Sequence, residues 1–263
     1  MGAAVSPLRK SSKIPTLEAG AADLLLELSD EDVSISRIVE LVRMSPSIAA
    51  RLVATANSAW SRPVAPVTSI ADACSRLGLN VVRTTSIALA IGQSFSPRRC
   101  PSFDAEKFWC TSIMASNLAA DLAGHASVDA NTARTAALLH NIGLLWLADS
   151  LPAETNESLV RAAGNPEITI SQGLQDQCGS DRRHASLFLY ENWNLPDKLK
   201  AGWEGEDHLG SLISRCEAMA TDVFENLPLE EVSWNVEDPV LLQAYEKQVR
   251  ALPRILQLSA AMF

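Results

Sequence analysis

The chain has 263 residues, a formal net charge of −9, 47% hydrophobic residues and 20% charged residues. These values are typical of a soluble globular protein with a substantial core, and they exclude a disordered chain. An acidic protein lacks the clustered Lys and Arg that bind a phosphate backbone, so we expect no nucleic-acid partner. Because no apolar run approaches the roughly 18 residues that cross a bilayer, we also expect no membrane span.

The cysteines and the N-terminus bear on the cellular compartment. The five cysteines contain no CxxC pair, and their odd number argues against a disulfide framework. The N-terminus lacks the hydrophobic segment of a signal peptide. We therefore expect a reducing, cytoplasmic location. Residues 1–12 are predicted to be a flexible, basic N-terminus.

Amphipathic spacing predicts the first helices. Four apolar residues recur at the i, i+3, i+4 and i+7 positions of one helix face, namely Ile35, Ile38, Val39 and Val42. Ser45 is placed to cap the next helix, and Pro46 suits its first position because an N–H would be unpaired there. We expect this helix to end near Ser58, before a loop formed by "SRPVAPV".

Two more helices are predicted before a break in the pattern. The apolar spacing returns at Ile70, Ala73, Cys74 and Leu77. Gly78 is expected to end that helix as a C-cap, and another helix should run from about Asn80 to Phe95. The stretch "SPRRCPSFD" (96–104) holds two prolines and is predicted to join two helical lobes.

The second half continues the helical pattern. Helices are predicted near 105–124 and 131–149, followed by a polar stretch at 154–180 and a helix after Asp181. A long amphipathic helix is indicated by Leu209, Leu212, Ile213, Cys216, Met219 and Val223. We therefore predict an all-α protein of two packed helical lobes that share an apolar interface.

The final segment, 238–262, should be helical with a break at Leu252-Pro253, since proline disrupts a helix interior. Its apolar stripe consists of Leu241, Leu242, Tyr245 and Val249. The stripe is either an interaction surface for a partner or part of the protein's own core, and we favour the core.

One short stretch, "ALLHNIGLLWLADSLP" (137–152), places the polar pair His140-Asn141 inside a strongly apolar run. An adjacent His-Asp pair at such a place is a familiar way to hold a catalytic metal. Here the second residue is an amide, which does not ionise and cannot offset the charge of a metal.

The order of these motifs resembles the HDOD family, the bacterial HD-related output domain. The resemblance covers roughly residues 13–210 and includes "KIPTLEAGAADLLLELSD", "SPSIAARLVATANSAW", "SIADACSRLGLNVVRTTSIALAIGQSF", "ALLHNIG" and "HASLFLYENWNLP". It implies an N-terminal lobe at about 13–95 and an HD-like lobe at about 105–210. The helices at 211–263 would complete the HD-like lobe.

The resemblance also implies where a metal would bind in catalytic HD relatives. HDOD domains look like relatives of the HD phosphohydrolases that lost catalysis. The positions that would form the vestigial pocket are Thr111, His140, Asn141, His184, Asp207, His208 and Glu217. Thr111 stands where a first His is expected, and Asn141 stands where an Asp is expected. With two ligands replaced by neutral groups, we expect no metal, no cofactor and no catalytic residue.

Several polar and glycine positions are more readily explained by structure than by chemistry. His140 in an apolar helix is more often a buried, hydrogen-bonded histidine than a ligand. Gly143 is expected to permit close helix packing. Trp193 should anchor an apolar corner, and Pro196 should begin a new helix. Asn57 is expected to satisfy backbone groups of the "SRPVAPV" loop.

Three functions remain open from the sequence. The resemblance favours a non-catalytic signalling protein that acts through contacts with a regulatory protein partner, whose identity and oligomeric arrangement stay unknown. A metal-dependent phosphohydrolase would need His140, His184 and His208 to assemble an unorthodox site. A nucleotide sensor without hydrolysis has no support from a glycine-rich phosphate loop.

Overall fold

A computed structural model describes residues 21–28, 30, 32–58, 66–165, 167–193, 195–204, 208–225 and 238–260, so the predicted basic N-terminus lies outside the described residues. Within these ranges the secondary structure consists of helices and contains no strand, which confirms the all-α prediction. The first lobe contains α1 (Ala21–Leu28), α2 (Ile35–Arg43), α3 (Pro46–Ala56), α4 (Ile70–Leu77) and α5 (Leu79–Gly92).

Local chemistry explains several helix ends in this lobe. Ser34 caps α2 by accepting a hydrogen bond from the Arg37 N–H at 3.2 Å. Ser45 occupies the N-cap position of α3 without accepting a cap hydrogen bond, and Pro46 starts that helix as predicted. Gly78 ends α4 and begins α5 with φ of +82°, a left-handed value that favours glycine.

Helix α5 lies at the centre of the molecule. Every side chain from Val81 to Ile91 is buried, so the helix is covered on all sides. It ends at Gly92 rather than at the predicted Phe95. Buried apolar residues from both lobes form one continuous core around it, so the lobes share an apolar interface as predicted.

The second lobe contains a longer series of helices. These are α6 (Ala105–Leu122), α7 (Ala130–Leu139), α8 (Ile142–Ser150), α9 (Pro152–Gly164), α10 (Ile170–Cys178), α11 (Arg182–Asn192), α12 (Asp197–Glu204) and α13 (His208–Glu225). The helix predicted near 131–149 is two helices, because the chain turns at His140-Asn141. The polar stretch at 154–180 holds α9 and α10, whose narrow buried faces leave little apolar spacing to detect.

The tail forms α14 (Pro239–Arg250) and α15 (Leu252–Ala260), which pack on α6. The break lies at Ala251, and Pro253 falls in the first turn of α15, where a missing N–H is tolerated. Tyr245 is buried, and Leu241 and Val249 pack against the core. Three of the four stripe residues therefore dock on the protein's own core, and Leu242 is half-buried.

Candidate remnant of a metal site

The junction between α7 and α8 brings His140 and Asn141 together inside the second lobe. His140 follows the last residue of α7, Asn141 precedes the first residue of α8, and both side chains are buried. The His140 Nδ1 lies 2.5 Å from the Ala137 carbonyl oxygen. Because a carbonyl only accepts, Nδ1 carries a proton in this contact.

Glu217 of α13 is the centre of the cluster. Its Oε1 accepts a hydrogen bond from Asn141 Nδ2 at 2.8 Å. The same oxygen binds the guanidinium Nη1 of Arg182 and lies 3.4 Å from His140 Nε2. One carboxylate oxygen therefore faces nitrogen atoms from three side chains.

These neighbours decide the charge of Glu217. Burial by itself would raise the pKa of the carboxyl group. Nearby His140 and Arg182, with a hydrogen bond from Asn141, hold the pKa of Glu217 well below its usual range. Glu217 is therefore ionised at neutral pH and forms a partly buried ion pair with Arg182.

A cavity of about 440 Å³ lies beside the cluster. Its polar lining includes three residues of the cluster, Asn141, Arg182 and Glu217. The other polar residues of the lining are Ser102, Asp104, Lys107, Thr111 and Thr221. The apolar part includes Phe103, Phe108, Leu144, Leu159, Ile168 and Ile170. The Thr111 hydroxyl donates to the Lys107 carbonyl oxygen at 2.9 Å within its own helix.

Two other predicted pocket residues, His184 and His208, lie away from this cluster. The His184 side chain is 71% exposed, and its Nδ1 lies 3.0 Å from the Asp181 carboxylate. Asp181 also caps α11 by accepting from the His184 N–H, so both contacts of His184 are local. His208 begins α13, and its Nδ1 lies 3.2 Å from the Ala126 carbonyl oxygen beside a different cavity. Asp207 lies outside the described residues.

Arg182 is the residue of the cluster that sequence reasoning missed. Gly143 explains how it arrives there, because a Cβ at Gly143 would lie 2.3 Å from the Arg182 carbonyl oxygen and 2.4 Å from the Ser186 N. The Gly143 N–H also donates to Ser186 Oγ at 2.9 Å. Helices α8 and α11 therefore meet with their backbones in contact, and the first turn of α11 reaches Glu217. The two arginines in "DRRH" are the feature of the sequence that could have indicated this contact.

The three remaining residues given structural roles lie at loops and corners. The Asn57 amide donates to the Val67 carbonyl at 2.7 Å and accepts from the Val67 N–H at 2.8 Å, although the side chain is exposed. The Trp193 ring centre lies 6.1 Å from that of Phe95, which connects the end of α11 to the residues that follow α5. Pro196 directly precedes α12.

The cluster does not fit a divalent metal. Such an ion requires several carboxylate and imidazole ligands that converge on it, with an open position for water. The cluster has one carboxylate, Glu217, and a guanidinium already binds its Oε1. Among the described residues, no three His, Cys, Asp or Glu side chains form a group able to hold a metal.

Comparison with known proteins assigns the chain to a family. The HDOD domain family matches residues 14–204, which is most of the chain. The chain belongs to the HDOD family. As an HDOD protein, it carries an ion pair at the position where the resemblance implies metal ligands.

Solved structures share this HDOD fold. A "Putative phosphohydrolase" from Shewanella amazonensis SB2B superposes with a TM-score of 0.74 at 22% identity, covering 98% of this chain and 99% of that chain. A "Putative signal transduction protein" from Marinobacter aquaeolei VT8 gives 0.75 at 22% identity, covering 95% and 60%. An HDOD domain protein from Geobacter sulfurreducens gives 0.70 at 18% identity, covering 97% and 95%.

These identities establish a shared fold and no more. No curated protein matches the sequence. Across the described helices, none combines the length and apolar character needed to cross a bilayer.

Proposed function

We propose that this HDOD protein is a non-catalytic component of bacterial signalling that acts through contacts with a protein partner. The observation that carries the proposal is the binding of the Arg182 guanidinium to Oε1 of Glu217. A solved protein of the same fold, from Marinobacter aquaeolei, is described as a signal transduction protein, which agrees with this role.

The arginine argues against hydrolysis for a chemical reason. A guanidinium stays protonated at any physiological pH, so it neutralises Glu217 permanently. A metal would have to displace Arg182 from a nearly buried oxygen and would find an amide and a hydroxyl as its other neighbours. In this proposal, the former ligand cluster holds α8, α11 and α13 together.

Metal reconstitution tests the absence of catalysis. The purified protein is treated with a chelator, supplied with manganese, iron or magnesium, and assayed on cyclic dinucleotides and nucleoside phosphates. We expect no turnover above that of the His140→Ala variant. Stoichiometric metal, together with turnover that His140→Ala abolishes, would overturn the proposal.

Restoration of the implied ligands separates the role of Arg182 from that of the missing groups. The double variant Thr111→His/Asn141→Asp should gain little metal affinity, because Arg182 still binds Glu217. Adding Arg182→Ala should raise the affinity further. Arg43→Ala in the same double background is the control, since Arg43 is an exposed residue of α2. Equal affinity in both triple variants would show that Arg182 is no obstacle.

The proposed contact with a protein partner needs a separate experiment. Partners captured from native lysate are identified by mass spectrometry and then tested as purified proteins. We expect an authentic partner to bind the His140→Ala variant as well as the unchanged protein, because no chemistry at the cluster is required. A partner that binds only when hydrolysis substrates are present would contradict this.

A second candidate function is ligand sensing in the cavity beside the cluster. Its volume of about 440 Å³ lies within the range of small-molecule sites, and a lining that combines apolar walls with polar groups is typical of such sites. Thermal unfolding with a panel of nucleotides and small apolar acids tests it. Leu144→Trp should fill the cavity and abolish any ligand-dependent stabilisation.

A further inference from the structure

A second, smaller cavity of about 180 Å³ lies where both lobes and the tail meet. Its polar lining consists chiefly of Thr84, Asn117, Asp121, Arg134, Lys247 and Arg254, which come from α5, α6, α7, α14 and α15. The cavity is therefore built from segments distant in the sequence, and none of the predicted site residues lines it.

The lining of this cavity is positive in an acidic protein. It contains three cationic side chains and one carboxylate, whereas the whole chain has a net charge of −9. The carboxylate, Asp121, is already engaged at both oxygens. Its Oδ1 accepts from Lys247 Nζ at 2.6 Å, and its Oδ2 accepts from Gln248 Nε2 at 2.8 Å.

Arg134 is the most deeply buried cation of the cavity. The residue is 8% exposed, and its Nη1 donates to the neutral Asn117 Oδ1 at 3.0 Å. Its Nε has no hydrogen-bond acceptor among the described residues, and the same holds for the Oγ1 of buried Thr84. Burial lowers the pKa of Arg134, Asp121 opposes that change, and nearby Arg83 adds to it. The charge of Arg134 is thus incompletely compensated within the chain.

We propose that this cavity binds a small oxyanion of the phosphate class, either inorganic phosphate or the phosphoryl group of a compact phosphomonoester. A guanidinium offers paired N–H donors that match the oxygens of such an anion, and Arg254 and Lys247 add positive charge. The volume excludes a nucleotide, because sites for drug-sized ligands begin near 300 Å³. The site is independent of the Glu217 cluster and of the function proposed above.

Binding of the anion would also strengthen the attachment of the tail. Lys247 and Arg254 belong to α14 and α15, whereas Arg134 and Thr84 belong to the two lobes. An anion that contacts both sets of residues favours the state in which the tail is docked. Phosphate should therefore stabilise the folded protein by an amount that grows with the logarithm of its concentration relative to its Kd.

The test measures thermal unfolding and calorimetric binding with inorganic phosphate, using chloride at equal ionic strength as the reference. We expect phosphate to raise the midpoint temperature above that in chloride. Methyl phosphate and AMP distinguish the sources of the anion. Stabilisation by methyl phosphate would show that the site accepts a phosphomonoester, and AMP should have no effect because of its size.

Two variants and a control locate the binding. Arg134→Met should weaken phosphate binding about ten-fold or more, since a charge-assisted hydrogen bond is lost. Arg254→Gln should weaken phosphate binding to a smaller extent. If Arg134→Met fails to fold, the phosphate affinity of Arg254→Gln tests the proposal. Arg43→Gln, an exposed position on α2, should leave binding unchanged. The proposal is overturned if chloride stabilises as well as phosphate does, or if Arg254→Gln and Arg134→Met keep the affinity of the unchanged protein.

Discussion

The Glu217 cluster and the Arg134 cavity hold buried charge in opposite ways. Glu217 faces the guanidinium of Arg182, the amide of Asn141 and the ring of His140. Arg134 lies deeper than Arg182, and its guanidinium donates to a neutral amide. A buried charge requires compensation. The chain supplies compensation at Glu217, which leaves little capacity for a ligand there, and supplies less at Arg134, where an external anion would provide it.

The buried charge of Arg83, on α5, is compensated in a way that lies between those of Glu217 and Arg134. It is 1% exposed, and its Nη2 donates to the Asp30 carbonyl oxygen at 2.9 Å while its Nη1 donates to Asn131. These neutral acceptors connect α5 to the end of α1 and to α7. Arg83 thus connects the two lobes, whereas the Glu217 ion pair connects helices of one lobe.

The largest effect is expected from removal of residues 238–263. This deletion exposes the apolar face of α6 and opens the Arg134 cavity while leaving Glu217 in place. We expect an insoluble or unfolded product, measured by soluble yield and circular dichroism, whereas removal of residues 1–12 should leave the protein folded. A soluble, stable truncation that loses only its partner would instead identify the tail as an interaction surface.

Gly143→Ala should damage the Glu217 cluster through the backbone. The added Cβ would lie 2.3 Å from the Arg182 carbonyl oxygen, which is backbone and cannot rotate away. We expect a loss of about 3 kcal/mol in the free energy of unfolding, at the upper part of the overpacking range. Gly164→Ala is the matched control, because nothing lies within 4 Å of its Cβ. Denaturant unfolding of both variants checks the difference.

Replacing each arginine by methionine compares the two regions directly. Arg182→Met removes a charged partner of Glu217, which is 17% exposed, and should lower stability by about 2–3 kcal/mol. Arg134→Met removes a poorly compensated charge and should change stability by about 1 kcal/mol or less in phosphate-free buffer. Chemical denaturation in chloride gives both values. Equal losses would mean that the two charges are compensated alike.

Acid unfolding should reveal the Glu217 ion pair. Because the pKa of Glu217 is lowered in the folded protein, its contribution is fully present above the unfolded carboxyl pKa of about 4.3. The contribution is lost as the pH falls from there through the lower folded pKa. Glu217→Gln should therefore flatten the pH dependence of stability in this window. If Glu217→Gln leaves the slope of stability against pH unchanged below about pH 4.3, the lowered pKa of Glu217 is contradicted.

A small effect, comparable to that of Arg134→Met, is expected at Asn57. Asn57→Ala removes two hydrogen bonds to Val67 and one to the Val53 carbonyl oxygen, but the amide is exposed, so water replaces part of what is lost. We expect destabilisation of about 1 kcal/mol. Asn192→Ala is the control, since its amide donates to Phe188 within its own helix at 2.7 Å. Thermal unfolding of the pair checks the ranking, and full stability with lost partner binding would make Asn57 a contact residue.

The sequence by itself determined the helical class and most helix positions. Apolar spacing predicted α2, α4 and α13 because one buried face repeats at the helical period. It failed at α9 and α10, where few side chains are buried, and it merged α7 with α8. The turn between them lies at the two buried polar residues His140 and Asn141, and Glu217, the partner of the Asn141 side chain, lies far away in the chain.

The sequence also indicated that Thr111, His140, Asn141 and Glu217 belong together, through family resemblance rather than through any local pattern. Only the tertiary structure placed Arg182 on Glu217, because that contact depends on the close approach of α8 and α11 at Gly143. It alone separated His184 and His208 from the cluster. It also assembled the Arg134 cavity from five helices. Periodicity reports which face of a helix is buried, but which charges meet is decided when distant helices pack.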